Sequence, residues 1–191
     1  MFIVIEGLDG CGKSTVAQHL SKKLEAVLLT TPGSDFKDIR SHLDMIFSNN
    51  IKARQLFYMA SVFKVSEEVK ELKELVRHVV VDRYWLSTQV YHRWMSNDTC
   101  LDLHEVEGEL LKPDLTVYLD LHFDERNKRI EARNGNTRED MQTLTQQADN
   151  ELRDYYEQMR DLEPVGKWLK VDASKDIYTI VDTILGAICE V

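Results

Sequence analysis

The chain has 191 residues, 43% apolar and 30% charged, enough for one domain with a substantial core. No run of 18 apolar residues occurs, so no transmembrane helix is expected, and a net charge of −9 without a basic run argues against a nucleic-acid surface. Three scattered cysteines, and six histidines without metal-ligand spacing, suggest neither a disulfide framework nor a zinc cluster.

Met1 leads directly into an apolar strand, Phe2–Ile5, which is too short for a secretory leader and has no basic flank. A cytoplasmic location is therefore expected. A glycine-rich turn follows, then a helix from about Lys13 whose apolar face is Ala17, Leu20 and Leu24. Ala26–Leu29 reads as a second strand, and Thr30-Thr31-Pro32-Gly33-Ser34 as a loop. Helical patterns cover Phe36–Phe47 and Ile51–Val76. Val79–Val81 is a buried strand ending at Asp82, and Trp85–Trp94 a helix. Leu115–Leu119 is the fourth strand. Helix is predicted over Glu125–Arg133, a polar break at Asn134–Thr137, and a single helix over Asp140–Leu162. Trp168–Val171 is the last strand and Ile177–Ile188 the closing helix. Short β-branched strands alternating with helices predict an α/β domain spanning residues 1–191, with a parallel sheet of about five strands flanked by helices.

Gly7-Leu8-Asp9-Gly10-Cys11-Gly12-Lys13-Ser14 fits the P-loop pattern, between a strand and a helix as its mechanism requires. Its glycines let backbone N–H groups converge on a phosphate, and the helix adds the positive end of its dipole. Lys13 would reach the β- and γ-phosphates of ATP, and Ser14 would offer a hydroxyl to Mg²⁺. Cys11 reads as a small filler. Asp9 beside a triphosphate is costly unless it serves Mg²⁺ or a sugar hydroxyl; a structural Asp turn is the alternative.

Asp82-Arg83 closes a buried strand at the end where open parallel sheets bind ligands. Asp82 is a candidate to hold Mg²⁺ through water. Arg83, with its planar fork, is a candidate for the phosphate of a second substrate. A capping ion pair between the two is the bland reading. Arg133 and Arg138 flank a polar tip that would close over the phosphates as a lid near 133–140 and neutralise charge developing in transfer; a solvated turn is the alternative.

On these residues the chain resembles the thymidylate kinase family, in its bacterial form, over nearly its whole length. Glu6-Gly7-Leu8-Asp9-Gly10-Cys11-Gly12-Lys13-Ser14-Thr15 is similar to that family's P-loop, Asp82-Arg83-Tyr84 with Ser87-Thr88-Gln89-Val90-Tyr91 to its second signature, and Lys112–Asp120 to its fourth-strand segment. Val171-Asp172-Ala173-Ser174 resembles the loop bordering adenine. The resemblance implies a nucleoside-monophosphate-kinase-like fold, with Asp9 near the acceptor's 3′-hydroxyl and Arg83 and Arg40 on its phosphate. It also implies Tyr91 against the 2′ position, Ser87 in the acceptor site, Phe57 stacked on the base, and a homodimer. A P-loop without arginine and a lid with Arg133 and Arg138 match the bacterial form. Two positions depart. The base-reading arginine four residues after Phe57 is replaced by Ser61, and Thr30-Thr31 precedes Pro32 where Arg-Glu is usual. The expectation is phosphorylation of dTMP to dTDP by ATP and Mg²⁺. Another or modified dNMP such as dUMP is an alternative acceptor, and a nucleotide-binding paralogue without turnover the alternative of another class.

Overall fold

The apolar runs pair into one all-parallel sheet in a computed structural model that describes residues 1–96, 101–133 and 141–189. Its strands are β1 (Phe2–Gly7), β2 (Val27–Thr30), β3 (Val79–Asp82), β4 (Leu115–Asp120) and β5 (Lys167–Asp172), in the order β2-β3-β1-β4-β5. Helices α1 (Lys13–Leu24), α2 (Ser34–Ile46), α3 (Ile51–Lys73), α4 (Trp85–Met95), α5 (His104–Glu107), α6 (Phe123–Glu131), α7 (Gln146–Met159) and α8 (Ile177–Ile188) connect and cover them.

Side-chain alternation along each strand divides the core in two. Phe2, Val4, Val79 and Val81 pack toward α3, α4 and α7 through Met59, Val62, Trp85 and Leu152. Ile3, Ile5, Val80 and Val117 pack toward α1 and α8 through Val16, Leu20, Val181 and Ile184. Both faces are covered, which is why the central strands read as unbroken apolar runs.

One predicted helix is corrected. Asp140–Leu162 does not run through: the backbone breaks around Leu144, and α7 starts at Gln146. The Thr145 hydroxyl accepts from Ala148 N–H at 3.1 Å, capping the new helix. Just upstream, the carbonyl of Thr143 accepts from the Arg126 guanidinium at 2.6 Å. Met141, placed on the apolar stripe by periodicity, is 56% exposed. The short helix α5 and a 3₁₀ turn at Glu163–Val165 carry no clear sequence pattern.

Register sets the site. Ile5 lies opposite Asp82 and Gly7 opposite Leu119, so the turn after β1 and the Asp82-Arg83 corner after β3 emerge side by side at the carboxyl end of the sheet.

Candidate active site

The turn after β1 is shaped by close packing. Gly7 has φ +140°, and a Cβ there would lie 2.8 Å from the Leu119 carbonyl oxygen. Gly10 has φ +86°, and its Cβ would lie 2.7 Å from Ile130 Cγ1. Only glycine meets both demands. Gly12 precedes the first residue of α1, whose amino end faces the turn. Cys11 is buried. Thr15 is exposed. Lys13 folds back into the loop: its ammonium donates to the carbonyls of Gly7 at 2.9 Å and Leu8 at 2.7 Å.

Arg126 supports the loop from behind. It is fully buried, donates to the Asp9 carbonyl at 3.2 Å, and pairs with Asp149 at 2.8 Å. Arg153 holds the other oxygen of Asp149 at 2.6 Å. Nothing in the sequence marks Arg126 beyond its place on a helix. The i,i+4 spacing of Asp149 and Arg153 is the one visible signal.

At the β3 corner Arg83 adopts φ +68°, a left-handed conformation that costs an arginine energy and needs support. The Thr30 and Thr31 hydroxyls provide it. Thr30 Oγ1 donates to the Asp82 carbonyl at 3.2 Å, and Thr31 Oγ1 to the Arg83 carbonyl at 2.9 Å. Buried Glu6 holds the far side by accepting from the N–H groups of Tyr84 at 3.0 Å and Ser87 at 3.2 Å, and from the Ser87 hydroxyl. Burial raises the Glu6 pKa, and the hydrogen bonds from Ser87 and Tyr84 hold it partly down.

Asp9, Arg83 and Tyr91 form one cluster. Arg83 donates to Asp9, and the Tyr91 hydroxyl donates to Asp9 Oδ2 at 2.9 Å. Burial alone would raise the Asp9 pKa, but Arg83 and Lys13 hold it well below the usual carboxylate range. The carboxylate is therefore ionised and the cluster is locked.

Ser14 Oγ donates to Asp82 Oδ2 at 2.5 Å, while Asp82 Oδ1 is buried and has no hydrogen-bond partner among the described residues. An orphaned carboxylate oxygen beside a hydroxyl is a hard-oxygen donor set, and it fits Mg²⁺.

Beyond this cluster opens a cavity of about 270 Å³. Asp9, Arg40, Arg83, Ser87, Tyr91 and Arg133 line it, as do Thr31 of the altered loop and Tyr58; Arg54, Thr88 and His92 line it too and carried no site signal in the sequence. Two expected residues do not line it. Phe57 packs edge-on against Phe36 at 5.7 Å and Tyr58 at 5.2 Å. Ser61 is fully buried, with its hydroxyl donating to the Tyr58 carbonyl at 2.7 Å. Arg40 is tied at its Nε to the Tyr58 hydroxyl at 2.9 Å. Arg138 and the expected lid beyond Arg133 lie outside the described residues.

A glycine cradle after the first strand of a parallel sheet, opening onto an arginine-lined cavity, defines a P-loop phosphotransferase. The sequence comparisons narrow this further. The family model for thymidylate kinase matches residues 5–184, and the chain belongs to that family. It is similar to probable thymidylate kinases of Methanococcus maripaludis. The identity is 31% with the strain C6 protein, covering 99% of this chain and 95% of that one. It is 38% with the strain C7 protein over 69% of this chain and 66% of the relative. The fold is shared with deoxyadenosine kinase from M. mycoides, solved with dCMP and a flexible dCDP. The two superpose over both whole chains with a TM-score of 0.67 at 20% identity, a likeness of fold alone.

Proposed function

We propose that this chain transfers the γ-phosphoryl group of ATP to a deoxynucleoside monophosphate, with dTMP as the first choice. The observation that carries the reading is the join at one sheet end between the glycine cradle and a cavity lined by Arg40, Arg83 and Arg133. One side suits a triphosphate and the other an acceptor that already carries phosphate. The attacking oxygen is then an anion, so no general base is required, and positioning and charge carry the catalysis. Backbone N–H groups of the loop and Lys13 offset charge on the transferred group. Arg83, held in place by Asp9, Thr31 and the Glu6-capped helix, meets the acceptor phosphate. Tyr91, fixed against Asp9, faces the sugar. Arg133, with Arg138, supplies charge from the lid. Ser14 and Asp82 would hold Mg²⁺, which neutralises phosphate charge when bound.

The same reading includes a cytoplasmic location and a homodimer. For the dimer, α2 and α3 leave Ile39, Met45, Ile46 and Leu56 exposed. Sedimentation of the purified chain at twice its monomer mass is the expected result.

The test of activity is ADP release from ATP·Mg²⁺ with single dNMPs and NMPs. Turnover with dTMP, lost by at least about 1000-fold in Lys13→Ala and Arg83→Ala with circular dichroism unchanged, supports the reading. Near-native rates in either variant would sink the assigned roles.

A further inference from the structure

Part of the cavity wall comes from α3 and α4, through Arg54, Tyr58, Thr88 and His92. His92 is 3% exposed. Its Nδ1 lies 2.6 Å from the Thr88 carbonyl, and a carbonyl can only accept. Nδ1 therefore carries the proton, and Nε2 presents a lone pair. That Nε2 is buried and has no hydrogen-bond partner among the described residues. Burial lowers the His92 pKa to about 4, so the ring is neutral at pH 7 and Nε2 stays an acceptor. A buried acceptor left unmade is expensive unless something arrives to use it.

Arg54 stands beside it. Its guanidinium is held by Asp44 at 3.1 Å and lies 5.8 Å from the centre of the Tyr58 ring. The His92 ring lies 5.6 Å from that same ring. Both residues line the cavity. A donor fork and a lone-pair acceptor thus meet around one tyrosine. Arg54 and Ser61 are seven residues apart on α3, two helical turns along one face.

We propose that Arg54 and His92 read the base of the acceptor nucleotide, Arg54 donating to a ring carbonyl and His92 Nε2 accepting from the neighbouring imino N–H. This rests on the dNMP kinase reading. The pair matches the keto–imino edge of thymine or uracil. Cytosine presents an amine where Arg54 donates and a bare ring nitrogen where Nε2 waits, so both contacts become repulsive. Sites built to hydrogen-bond one edge reject the wrong edge far more strongly than apolar pockets do.

The experiment is steady-state kinetics and equilibrium titration with dTMP, dUMP, dCMP and dGMP on the wild type, Arg54→Met, His92→Leu and His92→Gln. In Arg54→Met, Asp44 keeps Arg40 as a partner at 3.5 Å. The wild type should favour dTMP and dUMP over dCMP. His92→Leu and Arg54→Met should each raise KM for dTMP and shrink the dTMP:dCMP ratio of kcat/KM by about 10- to 100-fold, with KM for ATP unchanged. His92→Gln, which keeps an acceptor and guards against a misfolded leucine variant, should retain most of the ratio. A wild type preferring dCMP overturns the proposal, as do variants that keep the wild-type ratio; in both cases the kinase reading stands. A wild type that turns over no dNMP removes the kinase reading and this proposal with it.

Discussion

Removing the charge of Asp149 should be strongly destabilising. Asp149→Asn keeps the shape of the side chain and one acceptor oxygen. It leaves the Arg126 guanidinium, 0% exposed, without a counter-ion among the described residues. Arg153 retains Asp120, so the loss falls on Arg126. Breaking a buried pair from one side costs about 3–5 kcal/mol, a large share of the roughly 5–15 kcal/mol that holds a domain together. With an m value of about 2 kcal/mol/M, the urea midpoint should fall by about 2 M. Glu157→Gln is the control. Glu157 pairs with Arg160 at 2.7 Å, but both side chains are more than a third exposed, and its loss should cost under about 1 kcal/mol. The double variant Arg126→Met/Asp149→Asn should be no worse than Asp149→Asn alone. Removing the unpaired cation offsets the loss of its bonds to the Asp9 and Thr143 carbonyls. Trp85, Trp94 and Trp168 report the transition by fluorescence. A cost for Asp149→Asn as small as that of Glu157→Gln, or single-variant losses that simply add, would refute the reasoning.

Asp82→Asn should raise the Mg²⁺ concentration for half-maximal turnover about tenfold or more while leaving the urea midpoint within error; a Mg²⁺ titration of activity reads this. Burial raises the folded-state pKa of Glu6, so its stability contribution is present below its unfolded value near 4.5 and is lost as pH rises through the folded value. Glu6→Gln should therefore gain on the wild type as pH increases from 4.5 to 8, measured by urea midpoints across that range. His92 runs the other way. Its pKa falls from 6.5 to about 4 through burial, so its contribution is present above 6.5 and is lost as pH drops toward 4. At 1.36 kcal/mol per unit, the wild type should lose about 3 kcal/mol over that window that His92→Gln does not lose.

Sequence order made the phosphate half of the site legible because backbone conformation dictates its residues. A turn needing positive φ at Gly7, Gly10 and Gly12 has few alternatives to glycine, and the apolar runs beside it have few places to go but a covered sheet. Asp82 and Arg83 were legible for a related reason: charge at the end of a fully buried strand has to emerge at its carboxyl edge. Arg126 was not. A buried arginine and a surface arginine look alike along a helix, and only the packing of α6 against the Thr143–Asp149 turn makes one into a clamp for the Asp9 carbonyl. The break before α7 had a signal in the Thr145 cap, but the apolar period of the flanking residues outweighed it. Thr30 and Thr31 read as departures from a family pattern. In three dimensions they are the hydroxyls that hold the strained Arg83 backbone.

The base end of the cavity explains why a position in a helix is a poor guide to a contact. Phe57 and Tyr58 are adjacent, yet one residue of helix is about 100° of rotation, and it is Tyr58 that turns into the cavity while Phe57 packs on Phe36. Ser61 lies a turn beyond, fully buried, with its hydroxyl donating to the Tyr58 carbonyl. Arg54, two turns earlier on the same helix, does line the cavity. Arg54 and Tyr58 lie one turn apart on α3 and both face the cavity. That tyrosine then packs against both the guanidinium and the His92 ring and brings them together. Which atoms face the cavity is thus decided by helix rotation and packing, and spacing along the chain alone does not reveal it.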